Sequence, residues 1–362
     1  MKYKIDQNAH PVYLQIYRQI KEDIVNGTYP HGSKLPSKRL LSEETETSTV
    51  TVEHAYLLLC DEGYVEARER SGFFVIFRKG DGFAGAPPPQ VRAKIQPLHA
   101  AHTYPTFSFS VLSRTMRSVL TNYGEGVLER SPNGGRVELR EALMRYLARN
   151  RGIRVDLEQI VIGSGAEYLY GLLIELLGRD RVFAIESPSY QKIEQVYRAE
   201  AVAFEALPLA NDGIDSAALL KSRAHVLHTT PYRSYPTGVT ASASKRHEYI
   251  QWSGSAGRFI IEDDFESEFS VSTKPEDTLF SLTPFENVVY LNTFSKTVSP
   301  ALRVGYMVLP RPLTALFEQK LGFYSCTVPT FEQLVLAELI ENGDFERHIN
   351  RVRRNKRKEG KA

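Results

Sequence analysis

Cysteine is scarce in this 362-residue sequence: there are two, Cys60 and Cys326, each in an apolar run and without the partner spacing of a metal site or redox pair. A disulfide framework and a cysteine-ligated metal are thereby excluded, and a reducing, cytoplasmic setting is expected. Long hydrophobic runs are missing too. No stretch approaches about 18 consecutive apolar residues, and the opening MKYKIDQNAH has no apolar signal core, so neither a membrane span nor an export signal is expected. Nor does either sign of charge dominate: 45 Lys+Arg stand against 43 Asp+Glu, a net charge of +2 that by itself points to no partner. Internal repeats are absent, and low complexity is confined to one linker and a basic tail.

What is present is ordinary for a folded protein, with 42% hydrophobic and 24% charged residues, and the length suits two domains better than one. The break falls at Arg78-Lys-Gly-Asp-Gly-Phe-Ala-Gly-Ala-Pro-Pro-Pro89, where clustered glycine and proline interrupt any regular element. The expected division is a head at 1–78, a linker at 79–97 and a body at 98–362. In the head, Tyr13, Ile16, Tyr17, Ile20 and Ile24 recur at helical spacing and stop at Asn26-Gly27. Two more helices are expected from Ser37 and Ser48, the latter with Val52, Ala55, Tyr56 and Leu59 on its buried face. A hairpin follows, Tyr64–Ala67 against Phe73–Phe77 around Arg70-Ser71-Gly72. In the body, helical stretches (139–150, 168–177) alternate with short apolar runs (160–162, 182–185, 226–228, 259–261, 288–291, 305–309), which predicts an α/β domain with a mostly parallel sheet.

The head, with Leu35-Pro-Ser-Lys-Arg39, Ser48-Thr-Val-Thr-Val52, Ala55-Tyr56, Glu62-Gly63-Tyr-Val65 and Ser71-Gly-Phe-Phe-Val75, resembles the winged helix-turn-helix of GntR-type repressors over about 65 residues. The resemblance implies that the Ser48 helix enters the major groove of a double-stranded DNA operator. It names Ser37, Arg39, Ser48, Thr49, Thr51, Arg68, Arg70 and Gly72 as the contact set, with Arg39, Arg68 and Arg70 on backbone or minor groove. Thr49 stands where the family has arginine, and Glu53 places an acid toward phosphates. Residues 1–80 hold eleven basic and eleven acidic side chains, so weak non-specific affinity and a shallow salt dependence are expected. A bland reading remains beside this one: a small helical domain kept for docking or dimerisation after DNA binding was lost.

In the body, Asn292-Thr-Phe-Ser-Lys296-Thr-Val-Ser-Pro-Ala-Leu-Arg303-Val-Gly305 follows an apolar run and resembles the Schiff-base segment of fold-type I enzymes that use pyridoxal 5'-phosphate. That chemistry needs an amine for the cofactor aldehyde and a cation and hydroxyls for its phosphate. The resemblance assigns the amine to Lys296, the catalytic residue, and the phosphate to Thr293, Ser295 and Arg303. Read alone, a lysine after Thr-Phe-Ser is a surface residue. Thirty-three residues upstream, Phe259-Ile-Ile-Glu-Asp263-Asp-Phe-Glu-Ser-Glu-Phe269 matches the segment whose aspartate pairs with the pyridine nitrogen; a solvated strand end is the plainer reading of Glu262, Asp263 and Asp264. Gly163-Ser-Gly165-Ala166-Glu167 offers small residues at a helix start to the phosphate. Glu186-Ser-Pro-Ser-Tyr190 places an aromatic where the family stacks one on the ring, and Thr230-Pro-Tyr-Arg-Ser-Tyr235-Pro-Thr-Gly238 matches the loop at the cofactor edge.

Head and body together resemble the MocR/GabR class of regulators, which read a small amine, an amino acid or the cofactor itself through an aminotransferase-like domain and commonly form homodimers. Several residues depart from that pattern. Phe265 replaces a tyrosine that bonds the cofactor hydroxyl, a loss of about 1 kcal/mol. Arg233-Ser234 replace histidine and glutamine, and Glu129-Arg-Ser-Pro-Asn-Gly134 lacks the tyrosine often contributed across the dimer. The chain ends at Arg353-Arg-Asn-Lys-Arg-Lys-Glu-Gly-Lys-Ala362, about where the family continues into a C-terminal small domain. On this reading that domain is largely missing, and with it the arginine that binds a substrate carboxylate. The tail itself reads as a frayed, solvated helix end, or as an accessory phosphate-binding arm. Two rivals stand beside a PLP-sensing regulator: a residual aminotransferase using Lys296, and a truncated product with neither activity.

Overall fold

The computed structural model describes residues 3, 5, 6, 11–78, 107–255, 257–264, 266–270 and 277–359, and the chain divides into two compact units, Met1–His99 and Ala100–Ala362. The linker at 79–97 and Phe265 lie outside the described residues.

In the first unit, α1 (Val12–Val25), α2 (Lys38–Thr45) and α3 (Thr49–Asp61) precede the strands β1 (Val65–Arg68) and β2 (Gly72–Val75). Both predicted starts are serine N-caps: Ser37 accepts from Leu40 N at 3.2 Å, and Ser48 from Thr51 N at 3.0 Å. Ile16, Ile20, Leu41, Val52, Ala55, Tyr56 and Leu59 are fully buried, so three amphipathic faces share one core. The hairpin pairs antiparallel with Arg68 opposite Gly72. Its turn is therefore Glu69-Arg70-Ser71, one residue earlier than the sequence suggested, with Arg70 at φ 58° and Gly72 inside the strand.

The second unit runs α4 (Phe109–Tyr123), α5 (Val137–Asn150), β3 (Ile160–Gly163), α6 (Ala166–Leu177), β4 (Phe183–Ser187), α7 (Gln191–Ala199), β5 (Phe204–Ala210), β6 (Gly213–Ile214) and α8 (Ser216–Lys221). It continues with β7 (Val226–Thr229), α9 (Ala243–Ser253), β8 (Phe259–Asp263), α10 (Leu279–Leu282), β9 (Val288–Thr293), β10 (Gly305–Val308), α11 (Arg311–Leu321), α12 (Thr330–Glu341) and α13 (Asp344–Glu359). Eight strands form one sheet in the order β3-β10-β9-β8-β7-β4-β5-β6. The central run from β9 to β5 is parallel, while β10 lies antiparallel between β9 and β3, and β6 antiparallel to β5. Alternate side chains serve opposite faces. Val289 and Leu291 of β9 pack with Leu173 and Phe317 from α6 and α11, whereas Tyr290 packs with Leu143 and Leu336 from α5 and α12. Burial on both faces explains why the central strands read as plain apolar runs. Strands β5 and β6 were not foreseen: β5 carries Pro208, a residue that argues against a strand in sequence, and its burial is patchy. Among the described residues no helix is long and apolar enough to cross a membrane.

Candidate functional site

Parallel strands deliver their carboxyl ends to one edge of the sheet, and there the predicted residues of the body gather. Ala166, Glu167, Tyr170, Tyr190, Thr230, Tyr235, Asp263, Thr293, Ser295, Lys296, Pro300 and Arg303 line a pocket of about 310 Å³. Gly165 adjoins it. At φ +91° it caps α6 in a backbone conformation that favours glycine, and a Cβ there would lie 2.9 Å from Arg303 Nη2, so a side chain would also push the tip of that arginine aside. A larger cleft of about 410 Å³ between α5, α6 and α11 contains none of the predicted residues.

Glu262, Asp263 and Asp264 are all buried, which overturns the solvated strand end. Each has its own surroundings. Glu262 accepts from Leu279 N and Phe280 N, both at 2.9 Å, and burial pushes its carboxyl up to about 8. Asp264 faces the other side of the strand and accepts from Tyr290 Oη at 2.7 Å. Asp263 Oδ2 accepts from the Tyr170 hydroxyl and lies 3.7 Å from His228 Nε2, whose ring is held by Tyr197 at 2.8 Å. Its other oxygen, Oδ1, is buried without a hydrogen-bond partner among the described residues. A buried carboxylate oxygen left unpaired is costly, and its natural complement is a protonated nitrogen.

Lys296 sits in the loop after β9, with Nζ 2.6 Å from Glu266 Oε1. Burial lowers its pKa from the usual lysine value, and Glu266 opposes that shift. Arg233 lies beyond the same carboxylate, with Nε 3.8 Å from Glu266 Oε2. Thr293 ends β9, and Ser295 precedes the lysine at the pocket wall. Arg303, at φ 49°, and Lys192 both bind Glu167, the lysine at 2.7 Å. Burial works against that charge, but the two cations outweigh it and hold the Glu167 carboxyl down at about 2. Tyr190 and Tyr235 meet edge to face, with ring centroids 6.1 Å apart.

Sequence reading missed the groups behind this wall. Glu186, quoted only as part of a motif, is buried at the end of β4 and accepts from Thr229 Oγ1 at 2.5 Å, Thr230 N at 2.9 Å and the Ser234 hydroxyl. Burial pushes its carboxyl up, and those donors oppose the shift. Ser234 is thus the anchor of the 230–238 loop. Arg151, 3% exposed, lies 3.5 Å from both Asp264 and Glu268 and bonds Ser267. Arg353 Nε donates to Glu268 O at 2.6 Å, so the basic tail is helical through Glu359 and half-buried at this residue, rather than frayed and solvated throughout.

In the head, Ser37 and Ser48 spend their side chains on caps, and Thr51 Oγ1 lies 2.8 Å from Ser48 Oγ. Thr49 is exposed. Several cations expected on DNA are already paired: Arg39 with Glu43 at 3.1 Å, and Arg68 with Glu66 while it also covers the Phe74 ring. Glu53 does not stand as a bare acid toward phosphates; Lys38 neutralises it at 2.6 Å. Arg70 is exposed at the wing tip, and Gly72 leaves room for Lys34, whose Cε would be 3.0 Å from a Cβ there.

Comparison with known proteins agrees with both halves. Residues 12–75 match the bacterial regulatory proteins of the gntR family, and residues 102–359 match aminotransferase class I and II. The HTH-type transcriptional regulator YdeL of Bacillus subtilis (strain 168) is 32% identical over 96% of this chain and 77% of its own length. The probable rhizopine catabolism regulatory protein MocR of Rhizobium meliloti is 26% identical over 97% and 76%. Among solved structures, the Pyrococcus horikoshii kynurenine aminotransferase in complex with PMP is 25% identical with a TM-score of 0.63, covering 69% of this chain and 65% of the enzyme. The alpha-aminoadipate aminotransferase LysN of Thermus thermophilus, complexed with N-(5'-phosphopyridoxyl)-L-leucine, is 27% identical with a TM-score of 0.60, covering 69% and 66%. The chain thus spans about two thirds of those enzymes. A gntR-type head, an aminotransferase body and identity that runs through both place this chain in the MocR-type regulators, DNA-binding proteins of the GntR family fused to an aminotransferase-like domain.

Proposed function

We propose that this chain is a transcriptional regulator that binds pyridoxal 5'-phosphate in its body and senses an amine, an amino acid or the cofactor itself. The DNA-binding head is drawn at 1–78 and the cofactor-binding body at 98–362. The observation that carries the reading is the buried, unpartnered Oδ1 of Asp263 in a pocket that also holds Lys296, Thr293, Ser295 and Arg303. A pyridinium N–H would satisfy that oxygen, and the Asp263 carboxylate would in turn keep such a ring nitrogen protonated. Bound there, the cofactor supplies an aldehyde for amines and an electron sink.

The chain's own residues do the rest. Lys296 presents an amine whose proton is loosened by burial, with Glu266 as the neighbouring acceptor. Arg303, Thr293, Ser295, the α6 start at Gly165 and the Ala166 N–H would hold the phosphate, and Tyr190 and Tyr235 wall the mouth. An effector amine acts by binding one of two states of the regulator better than the other. A homodimer would present two heads to two operator half-sites, as closed two-fold assemblies of DNA-binding proteins do, in a reducing cytoplasm.

The test is the visible absorbance of the protein mixed with pyridoxal phosphate, beside a Lys296→Ala variant. A band in the wild type that is lost in the variant is expected. Identical spectra would overturn the cofactor assignment.

A further inference from the structure

Helix α3 is the reading element of the head, yet its exposed side is unusual for one. Thr49, Val50, His54 and Leu57 are exposed, with Val50 at 61% and Leu57 at 47%. Thr51 and Glu53 are half-buried; the first is engaged with the Ser48 cap and the second with Lys38. His54 lies edge-on to the Tyr13 ring, 5.8 Å between centroids.

Base reading in the major groove relies mainly on a few pairings. Arginine or lysine takes guanine, asparagine or glutamine takes adenine, and an acid accepts from cytosine. From Ser48 to Leu57 the helix has no arginine, lysine, asparagine or glutamine, and its acid is already paired. What it offers at the N-terminal turn, which is the part that meets base edges in helix-turn-helix proteins, is methyl groups: three on the exposed surface of Thr49 and Val50. One base edge in the major groove is complementary to a methyl group, namely thymine with its C5-methyl.

We propose that Val50, with Thr49 beside it, is the specificity-determining residue of the head, and that it selects duplexes which place thymine methyl groups under the first turn of α3. The inference rests on the DNA-binding role of the head and deepens it by naming the base and the atom recognised. Readout of guanine and adenine by arginine, lysine, asparagine or glutamine is absent from residues 48–57, so discrimination comes mainly from apolar contact, while position on the duplex comes from phosphate contacts of the wing.

The full-length protein, with pyridoxal phosphate present, is used to enrich binders from a random duplex pool. The enriched duplex is then compared with the same duplex carrying deoxyuridine in place of thymine, by fluorescence anisotropy at one salt concentration. Each methyl contact removed should weaken binding about fourfold, the value of one buried methyl-sized group. Val50→Ala should lose most of the difference between the two duplexes, the remainder being due to Thr49, and Val50→Thr, which keeps one γ-methyl, should fall between Val50→Ala and wild type. Because Val50 is exposed, both variants should unfold at the wild-type temperature. Enrichment of duplexes that tolerate deoxyuridine, or equal sensitivity in wild type and Val50→Ala, overturns the proposal while leaving DNA binding intact. Failure to enrich any duplex overturns the DNA-binding role beneath it, and this inference with it.

Discussion

Arg151→Met should be among the most destabilising single changes in the body. The guanidinium is 3% exposed and lies 3.5 Å from both Asp264 and Glu268, which are 0% and 3% exposed. Removing it leaves two buried carboxylates facing each other without a counter-charge, a situation that costs about 3–5 kcal/mol. For a domain of this size each kcal/mol moves the unfolding midpoint by about 2–4 °C, so a drop of about 6–20 °C is expected. Trp252 is the one tryptophan in the chain and is buried on α9, so its fluorescence reports the body and not the head. The deficit should also depend on pH. Burial already raises the Glu268 carboxyl, and Arg151 opposes that shift; without the arginine it rises further. A carboxyl whose folded pKa exceeds its unfolded value contributes stability that is present below the unfolded pKa and lost as pH rises through the folded one. The gap between variant and wild type should therefore narrow as pH falls toward about 4. A triple variant, Arg151→Met with Asp264→Asn and Glu268→Gln, should recover most of the loss. A midpoint for Arg151→Met within about 2 °C of wild type would refute the reasoning.

Two further outcomes follow from the same structure. His348 is buried between Phe107 and Phe269, and burial, helped by Arg351 and opposed by a backbone contact with Thr297, pushes its pKa down to about 4. It is neutral in the fold, so stability is complete above about 6.5, the unfolded value, and declines as pH falls toward 4; His348→Gln should flatten that decline in acid titrations followed by Trp252, and an unchanged profile would count against this origin. In DNA binding, the logarithm of affinity should fall only shallowly with the logarithm of salt, because Lys21, Lys38, Arg39 and Arg68 are all paired within the head. Arg70→Ser should lower that slope by about 0.9, the contribution of one phosphate contact; an unaltered slope would show that the wing tip is not on the backbone.

Much of the head could be read from sequence because its signals are local. Ser37 and Ser48 cap within three residues, and α1 and α3 show their buried faces as spacing. The hairpin turn slipped by one because Arg70, and not Gly72, occupies the central left-handed position. In the body, Lys296, Asp263 and Arg303 were legible as motif residues, since strand ends and their loops are short and continuous. Their partners were not. Tyr170 and Asp263 are 93 residues apart, and Arg151 and Ser267 are 116 apart. Nothing in a helix-ending arginine or a helical tyrosine announces a distant carboxylate. Glu186 carried a weak signal, an acid closing an apolar run, which burial of its strand end makes meaningful only once Thr229 and Ser234 are brought beside it.

All four residues of β10 are buried, so a one-residue slip against β9 and β3 would cover as many apolar groups as the observed register does, and burial alone would not resist it. Yet the register sets Gly163, Gly305 and Thr293 in a single row across three strands. A Cβ at Gly305 would come within 3.1 Å of both Asn292 O and Thr293 Cγ2 and 3.2 Å of Leu169, so a neighbour in the sequence could take its place in that row only if these atoms gave way by a few tenths of an ångström. One hydrogen atom thus works as an alignment key. It levels the glycine turn before α6, the end of β9 and the strand behind Arg303 to within the rise of one residue, about 3.3 Å, and a side chain there would press on Thr293, which lines the pocket.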